Sequence, residues 1–153
     1  MKKLSVYLLM IMCLFMTGCG EDKVKVSVTL DDFNTVLTNK GFTVNDNMNA
    51  YSGVDYIIDS KKAILDDIEI EMVKYSNSDY AGKVLDSQID SFNLLKSTGA
   101  QEKKDKGSNY YRYSLVSNGR YMISTRVDDT LVFCKTLLEN KEIVEEIYNE
   151  LGY

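Results

Sequence analysis

Apolar positions along the chain follow two regimes. Leu4 to Met16 (LSVYLLMIMCLFM) is a nearly unbroken apolar run, with Ser5 its main polar interruption. From Leu30 onward apolar residues recur instead at the periods of amphipathic helices and half-buried strands. Leu30, Phe33, Val36 and Leu37 share one helical face. Thr29 with Asp32 three residues on forms a capping-box variant at the start, and Gly41 stops the helix. Phe42 and Val44 open a short extended piece, and Asn45 to Gly53 (NDNMNAYSG) is turn-rich. Val54, Tyr56 and Ile58 alternate with polar residues, as do Ile68, Ile70 and Met72 with Glu69 and Glu71 between them. Val54 to Tyr75 therefore reads as strands, with a reversal near Asp59–Lys62 or near Asp66–Asp67.

Asn77 or Ser78 caps a second, longer helix, with Asp79 in its first turn. Its stripe is Ala81, Val84, Leu85, Phe92 and Leu95, with Ile89 close by. Lys96 to Ser108 (KSTGAQEKKDKGS) has glycine, charge and no apolar run, and reads as a solvated loop. Tyr110 to Val127 reads as a hairpin around Asn118-Gly119. A two-residue turn pairs Ser117 with Arg120 and sets Tyr111, Tyr113 and Leu115 opposite Arg126, Ser124 and Met122, mixing the faces. A three-residue loop with a glycine bulge pairs Val116 with Arg120. It joins Tyr111, Tyr113 and Leu115 to Thr125, Ile123 and Tyr121, leaving Arg112, Ser114, Ser124 and Arg126 on a polar face. Burial decides register, so the bulged version is expected. Asp128-Asp129 makes the next turn, and pairing Val127 with Thr130 puts Val132 and Cys134 on the face of Ile123 and Thr125. A last helix from about Asn140 turns Ile143, Val144, Ile147 and Leu151 inward. The expected fold is α+β: one domain, an antiparallel sheet packed against about three helices.

The apolar run at the start changes the picture once charge is added. Lys2 and Lys3 precede it, and at thirteen residues it falls short of the roughly 20 that a membrane span needs. It has the proportions of a signal-peptide apolar region. Met16-Thr17-Gly18-Cys19 follows, and resembles the lipobox of bacterial lipoprotein precursors, with Met16 where leucine is commonest. The resemblance implies transfer of a diacylglyceryl group to the Cys19 sulfur and cleavage before Cys19. On that reading residues 1–18 are a signal peptide, 19–27 a tether reaching at most about 30 Å, and 28–153 the domain. Removal of residues 1–18 takes away two lysines and no acid, so the net charge of −5 becomes −7.

The run from Asn118 to Phe133 (NGRYMISTRVDDTLVF), with the closing Leu151-Gly152-Tyr153, resembles the C-terminal part of a group of small uncharacterised lipoproteins of Gram-positive bacteria. In that group a tyrosine-rich hairpin leads to an Arg-Val-Asp-Asn-Thr-like turn; Asp129 stands here in place of the Asn. The resemblance implies location and fold and brings no activity with it.

Composition narrows the chemistry. The chain has no His, Pro or Trp, three Cys and eleven Tyr. Without His the commonest general base, zinc ligand and triad partner is absent. An excess of acid over base argues against nucleic acid as a partner. With Cys13 removed and Cys19 acylated, Cys134 stands alone, unactivated and expected to be buried. Asn45, Asp46, Asn47 and Asn49 have the composition of a calcium loop but not its carboxylate spacing. Glu69 and Glu71 would share a strand face about 7 Å apart, spacing an acid/base pair could use, although their alternation with apolar residues predicts a solvent face. Arg126 with Asp128, Asp129 and Thr130 suggests a guanidinium–carboxylate pair at the hairpin end. An exposed tyrosine set around Tyr110 is the first place to look for binding.

The sequence thus leads to an anchored extracytoplasmic lipoprotein on the cell membrane, held through lipid on Cys19. A non-catalytic binding or interaction domain is its expected role, taking an envelope protein or a small ligand. Tyr110, Arg112, Arg126, Asp128 and Asp129 are its candidate contact residues, with no catalytic residue, metal ligand or cofactor assigned. Two alternatives stay open: a surface hydrolase using carboxylates or a Ser–Lys pair, and an accessory subunit of an envelope complex.

Overall fold

The computed structural model describes residues 23–153; the signal segment, the lipobox and Cys19 lie outside them. Helix α1 (Leu30–Asn39) begins as the pattern requires: the Thr29 hydroxyl accepts from the Asp32 amide at 3.1 Å while Asp32 accepts from the Thr29 amide at 3.1 Å. Strand β1 (Thr43–Asp46) follows, then a short helical turn at Met48–Tyr51. Strands β2 (Ile57–Leu65) and β3 (Ile68–Tyr75) reverse at Asp66-Asp67, the second of the two expected sites, with Asp66 at φ 50°. Asn77 caps α2 (Ser78–Asn93), its side-chain oxygen accepting from the amides of Asp79 and Tyr80. Then come β4 (Gln101–Lys106), β5 (Tyr110–Ser117), β6 (Arg120–Val127), β7 (Thr130–Leu137) and α3 (Lys141–Glu150).

All seven strands form one antiparallel sheet in the order β1-β2-β3-β7-β6-β5-β4. Helices α1 and α3 cover one face, over Ile70, Met72, Tyr121, Ile123, Val132 and Cys134, all at most 1% exposed. Helix α2 covers the other, over Val73, Tyr75, Leu131, Tyr113, Leu115 and Met122. The α+β expectation holds, with a sheet buried on both sides. No helix among the described residues is long and apolar enough to cross a membrane.

Three expectations are corrected. Gln101–Lys106 is an edge strand paired with β5, not a loop. Its side chains, Asp105 apart, are exposed, so it carries no apolar alternation to betray it. The β5–β6 hairpin takes the two-residue turn: Ser117 pairs with Arg120, and Asn118 (φ 51°) and Gly119 (φ 69°) are both left-handed, as a type I′ turn requires. The bulged register assumed one buried face, and here both are buried. The mixed face is made tolerable by α2. Its Gln88 accepts from the Ser124 hydroxyl, its Asn93 accepts from the Tyr113 hydroxyl at 2.9 Å, and Phe92 stacks on Tyr113 with centroids 6.3 Å apart. The Asp128-Asp129 turn pairs Val127 with Thr130, and Cys134 is inside, as expected. Leu95 lies past the helix end and is 40% exposed rather than part of the α2 stripe.

Strand direction then defines two ends of the sheet. One carries the β4–β5 and β6–β7 turns, the starts of α1 and α2, and the backbone bond from the Tyr75 amide to the Asp129 carbonyl. The other carries the Asn118-Gly119 and Asp66-Asp67 turns.

Candidate interaction site

The five residues singled out as contacts do not form one surface. Tyr110 is 1% exposed, so the tyrosine set expected around it is not an exposed one. The settled register turns Tyr110 toward the α1/α3 face, where the Lys25 ammonium lies 5.1 Å from its ring centroid. Its hydroxyl donates to Asp105 at 3.1 Å. Burial, then the nearby Arg112 charge, pulls the Lys25 ammonium below its usual range.

Arg112 shares that face, opposite to Arg126, so the polar face expected to hold both does not exist. Its guanidinium pairs with Glu145 of α3, donates to the Tyr153 main-chain oxygen at 2.9 Å, and lies 5.5 Å from the Tyr148 centroid. Glu145 also accepts from the Tyr121 hydroxyl. Burial, with the Glu145 hydrogen bond next, raises the Tyr121 phenol well above its usual range. These contacts pin α3 to the sheet, which makes Arg112 a packing residue.

At the hairpin end Arg126 donates to the Asp128 carbonyl oxygen at 3.3 Å, not to a carboxylate. The Asp128 carboxylate instead accepts from Asn109 at 3.0 Å. The expected guanidinium–carboxylate pin is therefore replaced by an Asn109 bridge. Asp128 itself is left-handed (φ 49°), which suits the short side chain of Asp at a tight turn.

Arg126 does line a cleft. Between α2 and the ends of β4, β5 and β6 lies a cavity of 430 Å³ lined by Ser78, Asp79, Lys83, Asp86, Lys106, Tyr111 and Arg126, among others. Among the described residues no carboxylate stands within ion-pair distance of Arg126, Lys83 or Lys106. The two lysines lie instead over tyrosine rings, Lys83 on Tyr80 at 5.5 Å and Lys106 on Tyr111 at 5.7 Å. Such a set of cations and aromatic faces can hold an anionic or polar group. The exposed tyrosines sit beside it: Tyr56 and Tyr80, each 38% exposed, stack with centroids 4.7 Å apart.

A second polar cluster escaped sequence reasoning. Glu71, expected to face solvent beside Glu69, is 7% exposed. One of its oxygens accepts from Asn47 Nδ2 at 2.7 Å, from Ser60 Oγ at 3.2 Å and from the Tyr51 hydroxyl. Burial, then this carboxylate, pushes the Tyr51 phenol well above its usual range. Glu69 keeps the expected exposure and pairs with Lys62 at 3.4 Å. The two carboxylates thus differ in role, and Glu71 holds the turn-rich 47–51 segment against the sheet. The alternation Ile68-Glu69-Ile70-Glu71-Met72 gave no signal that one Glu was covered. The polar residues of Asn45–Tyr51 needed an acceptor, which was the one available hint.

The fold and this cleft define an α+β domain with a doubly covered antiparallel sheet and, at one strand end, a cleft of mixed charge lined by three cations with Asp79 and Asp86. No protein-family model matches the chain, and no curated protein matches it. Its fold is similar to the crystal structure of a GTP binding regulator from Thermotoga maritima, at 17% identity and TM-score 0.48, over 82% of this chain and 88% of that one.

Proposed function

We propose that this protein is a lipid-anchored extracytoplasmic lipoprotein whose folded domain binds a partner or ligand without catalysing a reaction. The observation that carries the reading is the order Lys2-Lys3, a thirteen-residue apolar run, then Thr17-Gly18-Cys19. A thiol placed after two small residues is suited to take a diacylglyceryl group, and two or more acyl chains on one residue hold a membrane stably where one does not. The cleft at Arg126, with Lys83, Lys106 and Tyr111, supports the binding half of the reading. Tyr110, Arg112 and Asp128 serve packing rather than contact, while Asp129 lines a separate groove of 380 Å³ at the same end.

Cys19→Ala tests the anchor: the variant is expected to leave the membrane fraction or to accumulate unprocessed. Intact mass of the wild-type chain is expected to show a lipid-modified residue at position 19. Unchanged membrane retention and processing in the variant would refute the anchor.

A further inference from the structure

Part of the stretch read as tether is built into the domain. The Ser108 amide donates to the Lys23 carbonyl at 3.2 Å. Asn109 holds Lys25 from both sides, accepting from its amide at 3.0 Å and donating to its carbonyl at 2.7 Å. The Lys25 ammonium reaches the Gly152 carbonyl at 2.9 Å. At Gly107 there is no room for a side chain, because a Cβ would stand 2.1 Å from the Lys23 carbonyl oxygen. Lys23–Lys25 therefore runs along the β4–β5 turn as a fixed strip of the fold.

We propose that this strip orients the domain, turning the strand end with the β4–β5 and β6–β7 turns toward the bilayer. The proposal rests on lipidation at Cys19 and deepens that reading. Four residue steps separate Cys19 from Lys23, so in any conformation the lipidated residue lies within about 14 Å of the docked strip. An undocked chain to Val28 would allow about 30 Å and let the domain turn freely. The occupant of this face is the lipid headgroup layer. Lys23 and Lys106 are exposed there, beside Asp31, Asp32 and Asp79 at the same end, so the short tether rather than charge attraction sets the facing.

The test uses the full lipidated protein in phosphatidylglycerol–phosphatidylethanolamine vesicles. A thiol-reactive fluorophore is placed at Ser108→Cys on the proposed membrane side or at Thr98→Cys on the opposite end, both exposed positions. Native Cys134, buried, stays unlabelled. Lipids with a nitroxide headgroup are expected to quench the Ser108 label several-fold more than the Thr98 label. A twelve-residue Gly-Ser insertion after Gly20 is expected to abolish that contrast while the protein still floats with the vesicles. Equal quenching of the two labels without the insertion, or stronger quenching at Thr98, overturns the orientation alone. A contrast that survives the insertion shows that the tether does not set it, and overturns the proposal too. A wild-type chain that does not float overturns the anchor, and the orientation with it.

Discussion

Replacing Glu71 isolates the contribution of a buried carboxylate that no apolar pattern announced. It receives three donors on one oxygen, from Asn47 at 2.7 Å, Ser60 at 3.2 Å and Tyr51. A hydrogen bond to a charged group contributes about 1.5–3 kcal/mol, and a buried donor left alone costs about 1–3 kcal/mol. The three are not additive, because Asn47 and Tyr51 are half-buried and regain water when the acceptor goes. Ser60 is fully buried and does not. Glu71→Ala should therefore cost about 3 kcal/mol, and Tyr51→Phe about 1 kcal/mol. Urea unfolding followed by tyrosine fluorescence measures both, since the chain has no Trp. With a slope of about 2 kcal/mol per molar urea, Glu71→Ala should lower the midpoint by about 1.5 M. A cycle pairing Glu71→Gln with Tyr51→Phe should give a coupling of about 1 kcal/mol. A Glu71→Ala midpoint equal to wild type, or zero coupling, would show that the 47–51 segment is held by something other than this carboxylate.

Two further outcomes follow from groups packed under α3. Burial pushes the Cys134 thiol up from 9.0 to about 12, so the stability tied to its neutral form is whole below about pH 9 and lost as pH rises toward 12. Tyr121 and Tyr148, raised mainly by burial, act in the same direction. The urea midpoint should thus stay level from about pH 6 to 8 and fall above about pH 9; a level midpoint to about pH 11 would contradict it. Arg112→Ala should cost about 2–3 kcal/mol and expose the α3 amides to exchange, with Arg112→Lys a poor rescue because the guanidinium serves three acceptors (Glu145, Asn149 and the Tyr153 main-chain oxygen) and a ring at once. Unchanged exchange in α3 would remove Arg112 from its packing role.

What the sequence made legible was local. The Thr29–Asp32 cap, the Asn77 cap and the position of Cys134 depend on neighbours a few residues away or on a single turn. The hairpin register depended on something further off: whether a helix covers the second face. Tyr113 and Ser124 look mismatched until Asn93 and Gln88 of α2 arrive to satisfy them. The same long-range covering hid Glu71, whose donors come from residues 11 to 24 positions earlier. Strand β4 was illegible for the opposite reason, since an edge strand exposed to water has no apolar face to display. Of the five candidate contact residues, Arg126 and Asp129 line clefts of 430 and 380 Å³, one each, because side-chain chemistry could be read in order along the chain but the facing of each strand could not.

Covering both faces of the sheet also decides where recognition can occur. Most of each face is covered, although the α2 side stays open around Lys62, Glu69 and Lys135, where a hollow of 160 Å³ lies. The β4 edge, with Glu102, Lys103, Lys104 and Lys106 exposed, discourages strand addition, and the β1 edge is four residues long. The strand ends remain. The end with the β6–β7 turn holds the Arg126 cleft, the Tyr56–Tyr80 stack and a 380 Å³ groove lined by Val28, Asp31, Ile58 and Lys74, among others. That is also the end the docked Lys23–Lys25 strip would turn to the bilayer. On this reading, a partner of these clefts must itself lie at the membrane. Release of the domain by Cys19→Ala should then abolish partner crosslinking in intact cells while every cleft stays intact. Arg126→Ala should weaken crosslinking with the anchor in place. Crosslinking by the released domain at wild-type yield would separate the clefts from the membrane and place the partner in solution.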